Sequence, residues 1–262
     1  MRAATAPGRP GILLSTVEYE VVWSQLGLGH MPYPLSVPSA GFLPDERARV
    51  VAQAWDSLAG KGLGDGTQPD EDLADLLHLL ARPAVSVDAL GDTGEPLRAL
   101  AVRDGDAALL ATLTRTGLTL RTIHPSALGA SLTGLLPDVG PGPGHAFTFP
   151  HSVLGAALGG DEDDDVFFGG DDHDVLVRAG MSTGDARLFA ELVDARLHGG
   201  QFGINSRTRA RDRMVREPTL VTWFDTLDGR YLVVREQDWV SVTPTGADRI
   251  AARIDQLLAS AE

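Results

Sequence analysis

One ordered series of elements, three short strands leading into a helix, occurs twice along this 262-residue chain, and that repetition limits the fold more than any single motif does. The clearer copy follows Glu217-Pro218. TLVTWFDT, GRYLVVRE and DWVSVTP are rich in β-branched and aromatic residues and are separated by Leu227-Asp228-Gly229 and by Gln237-Asp238, the pattern of an antiparallel meander. Thr243-Pro244 then offers an N-cap and a first helical residue, and Ile250, Ile254, Leu257 and Leu258 recur at helical spacing. The other copy runs LRALAVR, an Asp104-Gly105-Asp106 turn, AALLATLT and GLTLRTIHP. There His124-Pro125-Ser126 takes the place of Thr243-Pro244-Thr245, and a helix carries Leu128, Leu132, Leu135 and Leu136. Helices at 44–62 and 182–200, each with acids in the first turn and glycine at the end, precede the two meanders. The recurrence in order predicts an α+β fold, a duplicated unit with pseudo-twofold symmetry whose two meanders form a central antiparallel sheet flanked by α-helices. Residues 16–137 and 146–262 are the two halves of a single domain, the Pro- and Gly-rich 138–145 the linker, and 1–15 a disordered tail.

Between these landmarks, Val17, Val21, Val22 and Leu26 recur at helical spacing inside a β-prone run, which leaves helix and strand both open. LGLGHMPYPL ends that element, and 35–42 is a candidate strand. A helix over 70–81 carries Leu73, Leu76, Leu77 and Leu80 and stops at Arg82-Pro83. Ala84 to Val87 reads as a short strand, DALGDTGEP at 88–96 as a loop, HAFTFP at 145–150 as a strand and SVLGAAL at 152–158 as a short helix. GGDEDDDVFFGGDDHD at 159–174 is a block of like charge. Clustered carboxylates can ligate Ca2+ or Mg2+, but the run lacks the alternate spacing, central glycine and distal Glu of a calcium loop. It reads as a solvated loop in which Val166-Phe167-Phe168 offers a small anchor.

A hydrophobic fraction of 43% allows one large core or two small ones. With no cysteine, disulfides and thiolate metal sites are excluded. The chain has no apolar run long enough to span a bilayer and no secretory h-region, so a cytoplasmic protein without membrane insertion is expected. A formal charge of -14, with Lys61 the one lysine among 22 basic residues, argues against nucleic acid as a partner. No GxSxG, Walker A, HExxH or GxGxxG pattern is present, and the seven histidines lack ligand spacing. Hence no catalytic residue, cofactor or metal is assigned, and the chain is read as a non-enzyme. In the second meander Trp223, Tyr231 and Trp239 share one face if the strands pair in simple register, with Phe224 and Leu232 on the other. Buried, that face is core; partly exposed, it is a surface for protein.

The segments LGLGHMPYPL (26–35), LLARP (79–83), LRALAVRDGD (97–106), GGQFG (199–203), FDTLDGRYLVVRE (224–236) and WVSVTP (239–244), taken in order, resemble the EspG family of type VII (ESX) secretion-associated proteins of actinobacteria. The resemblance runs from about 16 to 260. It implies a cytosolic chaperone or adaptor that binds a PE-PPE heterodimer at the apolar tip of the PPE helical bundle, keeps it soluble and supports its delivery to the secretion machine. It also implies the same pseudo-twofold α+β fold, with the partner gripped by the sheet, an adjacent loop and the C-terminal helices. By position, Asp88 to Pro96 matches that loop and the strands around Trp223, Tyr231 and Trp239 match the sheet. The expected partner-binding set is Asp88, Asp92, Glu95, Arg98, Trp223, Asp225, Tyr231 and Trp239. The acidic segment 159–174, the scarcity of lysine and the short 88–96 loop depart from the family pattern. A protein-binding module with no secretion role, or a hydrolase with a site assembled in space, are the other readings.

Overall fold

The β-branched and aromatic runs pair into one antiparallel sheet of ten strands, ordered β1-β5-β4-β3-β2-β7-β8-β9-β10-β6, in a computed structural model that describes residues 11–151, 173–178, 180–208 and 213–261. The first half contributes β1 (Ile12–Leu14), α1 (Thr16–Gln25), α2 (Pro44–Gly60), α3 (Glu71–Ala81), β2 (Val85–Asp92), β3 (Pro96–Asp104), β4 (Ala107–Leu113), β5 (Leu118–Thr122) and α4 (Leu128–Thr133). The second contributes β6 (Phe147–Pro150), α5 (His173–Arg178), α6 (Thr183–Asp194), β7 (His198–Thr208), β8 (Arg213–Thr226), β9 (Gly229–Glu236), β10 (Trp239–Pro244) and α7 (Ala247–Ala261). Read from either edge, the strand order meets the same succession of counterparts, and the halves join at an antiparallel seam of β2 and β7, Val85 opposite Ser206 through Asp92 opposite Gly199.

Three cores follow from the alternation of side chains along the strands. On one face, which we term the shared face, Val87, Ala101, Leu110, Phe202, Ile204, Val221 and Trp223 pack under α4 and α7 through Leu128, Leu132, Ile250, Ile254 and Leu258. Both halves build this core. On the opposite face, Leu100, Val102, Leu109 and Leu120 meet Trp23, Trp55, Leu58, Leu73 and Leu77 of α1–α3, whereas Phe149, Phe224, Tyr231 and Val242 meet Leu176, Phe189 and Leu192 of α5 and α6. This split face therefore carries two separate helical layers, one over each lateral part of the sheet.

The structure resolves the ambiguous run after Ser15 as α1, closed by a capping box in which Ser15 and Glu18 bond reciprocally. Several expectations are corrected. Residues 12–14, placed in the tail, pair with β5. The stretch 35–42 forms no strand: Arg98 and Arg47 hold its carbonyls, at Ser36 and Ala40. The segment 88–96 is chiefly strand, because β2 runs on to Asp92 and only Thr93, Gly94 and Glu95 turn. Thr243-Pro244 completes β10 opposite Leu232 and Tyr231, and α7 begins three residues after Pro244. β7 and the outer part of β8, which lack a clean β signal, form the longest hairpin; its register shift between Gly203 and Asn205 accommodates Pro218. The helix expected over 152–158 and the acidic residues 159–172 lie outside the described residues.

The linker is strapped to the second half. Arg230 exchanges backbone bonds with Gly140 and Gly142, its Nη2 donates to the Pro137 carbonyl at 2.9 Å, and the Tyr231 hydroxyl donates to the Pro143 carbonyl at 2.9 Å.

Candidate partner-binding site

Between its two helical layers the split face leaves the middle strands open among the described residues. The register fixes the floor row by row. Arg98, Leu90, Gln201 and Thr222 stand abreast across β3, β2, β7 and β8, followed by Leu100, Asp88, Gly203 and Leu220. Leu90, Arg98, Gln201, Leu220 and Thr222 are all half-buried, whereas their counterparts on the shared face, such as Ala89, Phe202 and Val221, are fully covered. The floor is low because Gly199 and Gly203, two residues either side of Gln201, put no side chain on this face.

Two arginines lie in the space the glycines vacate. A Cβ at Gly203 would overlap the Arg216 guanidinium, and a Cβ at Gly199 would stand 3.0 Å from Arg196 Nε. Arg216 Nη1 and Nη2 donate to the two carboxylate oxygens of Asp88 at 2.7 and 3.1 Å, and Asn205 adds a third bond at 2.9 Å. Asp88 is 1% exposed, while the Arg216 side chain keeps 40% of its surface in solvent. At the other end, burial pulls the Arg196 guanidinium pKa down and the neighbouring Asp92 charge opposes that shift. The trough thus has a mixed apolar and amide floor bracketed by two arginines.

The expected site residues divide between the faces. Asp88, Asp92 and Arg98 are on the split face, at or beside the trough. Asp92 and Glu95 are exposed at the end of the β2–β3 hairpin, where Asp92 Oδ1 accepts the Gly94 N–H at 2.8 Å. Arg98 donates from Nε and Nη2 to the carbonyls of Pro34 and Ser36, both at 2.8 Å, so it clamps the 34–36 backbone in place of standing free at a rim. Trp223 and Asp225 are buried on the shared face. Arg230 holds Asp225 through two bonds of 2.7 and 2.8 Å and lies 5.1 Å over the Trp223 ring. Neither is a surface residue. Trp223 faces Leu232, and Phe224 faces and stacks on Tyr231, because the two-residue turn at Leu227-Asp228 sets Thr226 opposite Gly229. Tyr231 is therefore buried in the split-face core and does not share a face with Trp223. Trp239 is 54% exposed, but on the shared face next to β6.

Gln201, Leu220, Thr222, Arg196 and Arg216 were not singled out by sequence reasoning. The signal for them is GGQFG: a strand with glycine at alternate positions on one face is either a defect or a recess, and only pairing shows which. For a hydrolase, the described residues offer His145 Nε2 at 3.3 Å from Asp185 Oδ1, where the Ser182 hydroxyl donates to Asp185 Oδ2 at 2.7 Å, so that the carboxylate of the α6 N-terminus stands between histidine and serine. They also offer His124 Nδ1 at 2.8 Å from the Ser126 hydroxyl. The same nitrogen stands 3.3 Å from the Ser126 N–H, so the contact closes the turn ahead of α4. Among the described residues no three His, Asp or Glu side chains are placed to hold a metal ion, and no helix is long and apolar enough to cross a membrane.

A family model described as the EspG family matches residues 15–256. No curated protein matches the chain. Among solved structures, the type VII secretion system chaperone EspG5 of Mycobacterium tuberculosis, determined in complex with a PE25-PPE41 dimer, superposes with a TM-score of 0.74 at 13% identity, covering 96% of this chain and 97% of that one.

Proposed function

Because this chain belongs to the EspG family, we propose that it is a cytosolic, non-catalytic chaperone and adaptor that captures a PE-PPE-type heterodimer, keeps it soluble and supports its delivery to a type VII secretion system. The observation that carries the reading to a place on the molecule is the open trough on the split face. A helical tip seated there meets Leu90, Leu220, Thr222 and Gln201 on the floor, with Asp92, Glu95 and Arg98 beside it at the β2–β3 hairpin. A small number of central apolar contacts supply most of the affinity, and the charged surround sets orientation. An exposed apolar tip on a secretion substrate invites self-association, and a cover with formal charge -14 keeps the complex dispersed.

The test is co-expression with any PE- and PPE-like proteins encoded in the genome that carries this gene. A tagged chain should pull down the pair in stoichiometric yield. Leu220→Asp should abolish capture with the circular dichroism spectrum unchanged, and Leu227→Ser, at an 89% exposed position in the β8–β9 turn, should not affect it. Full capture by Leu220→Asp would move the site off the split face. No capture of any such pair by the unaltered protein would favour a binding module without a secretion role.

A further inference from the structure

We infer that Arg216 and Arg196 form a two-point carboxylate reader in the trough, selecting clients whose helical tip carries acidic side chains on both sides of its apolar contact. This rests on the chaperone reading above and adds the chemical class of the tip. Gly199 and Gly203 are four residues apart on β7, so the guanidiniums that cross them are separated by roughly 13 Å along the strand. Between them lies the row Leu90, Gln201, Thr222, the half-buried floor.

Arg216 is built for recognition as well as for stability. A guanidinium has five N–H donors, and the Asp88 carboxylate accepts from only two of its nitrogens, Nη1 and Nη2. The acid sits beneath, almost fully buried, and also accepts from Asn205, so the cation is outermost and cannot swing away without stranding a buried charge. Holding the fork in place before binding removes the rotamer cost that a free surface arginine would incur on meeting a carboxylate. Gly203 is required for this placement, since any side chain there occupies the path of the guanidinium. At the other end Arg196 lies over Gly199, and the exposed Asp92 carboxylate is its electrostatic neighbour.

The surroundings sharpen the selection. The protein as a whole repels acidic partners through a formal charge of -14, and the two arginines supply local positive charge on an otherwise acidic molecule. A client is accepted where its acids meet these two points and rejected in any other pose.

The experiment uses the co-purified client pair and measures its affinity for the full chain by isothermal titration at 50 and 500 mM NaCl. The double variant Asp88→Asn/Arg216→Gln removes the cation without leaving an unpaired buried charge; Arg196→Gln is made alone and in combination. The expected result is at least tenfold weaker binding for each site at low salt and loss of salt dependence in the combined variant, with melting temperatures within a few degrees of the parent. Neutralising the acids of the client tip should give the same loss, with no further loss when both partners are altered. Affinity and salt dependence equal to the parent in the combined variant would overturn the inference while leaving the chaperone reading intact. Loss that persists when the client's acids are neutral would overturn it too, by showing that the arginines act through something other than those carboxylates. Failure of the parent to bind any PE-PPE pair overturns both.

Discussion

At the scale of single residues, the buried charges of this chain divide into those that hold the fold and those that face a partner. Asp225 and Arg230 belong to the first kind. Their side chains are 3% and 0% exposed, so removing one partner strands the other. Asp225→Ala is therefore expected to destabilise by about 3–5 kcal/mol, a fall in melting temperature on the order of 10 °C; a change below 2 °C by calorimetry would refute that account of the pair. Glu18 gives a pH dependence. Burial raises its pKa, but bonds from Lys61, the Ser15 amide and Ser57 together outweigh burial and leave it below the ordinary glutamate value. A depressed folded pKa contributes stability that is present above the unfolded value, near about 4.3, and is lost as pH falls through the folded one. Acid titration of the melting temperature should show a steeper loss below about pH 4.3 in the parent than in Glu18→Gln. Parallel curves would remove Glu18 from the acid transition.

At the scale of elements, the β2–β3 hairpin shows what a sequence can and cannot disclose. The run from Asp88 to Pro96 is dense in Gly, Asp and Pro, and local chemistry assigns it to a loop; pairing on both sides with β3 and β7 overrides that composition as far as Asp92. Replacing Thr93-Gly94-Glu95 by Asn-Gly should leave the melting temperature within about 2 °C and weaken client capture, whereas deleting 88–96 removes Asp88 and should prevent folding. Insoluble product from the short replacement would show the turn itself to be structural. The meander strands were legible because their residues alternate and their turns are short. So were the helix at 44–60, with Val50, Val51, Ala54, Trp55 and Leu58 on one stripe, and the leucine-striped helix at 70–81. β7 was not, because glycines at 199, 200 and 203 carry no hydrophobic pattern, and the registers of Trp223 and Tyr231 were not, because one residue more or less in the Leu227-Asp228 turn exchanges the faces. The candidate trough was legible only as a general expectation of the sheet. Its arginines come from strands whose own sequences do not say what lies beneath them.

At the scale of the whole molecule, the shared core makes the halves interdependent. Val87, Leu110 and Leu132 of one half and Phe202, Trp223 and Ile254 of the other belong to one cluster, so each half alone would present that apolar face to water. Residues 1–137 or 146–262 expressed singly are expected to be insoluble, and co-expressed they should assemble across the β2–β7 seam and co-purify. A soluble, cooperatively melting single half would refute this dependence. We propose duplication of an ancestral half as the origin of the matching strand order. The same order has a consequence at the margins of the sheet. Among the described residues the two outermost strands are short, β1 of three residues and β6 of four, but β8 runs past β9, whose pairing covers only Val221 to Thr226, and leaves the outer side of Arg213–Leu220 without a strand partner. Exposed Arg213, Arg216 and Pro218 blunt that border, so a chaperone of secretion substrates is itself a poor seed for fibrils, and Pro218→Val is the change most apt to turn the caretaker into a nucleus.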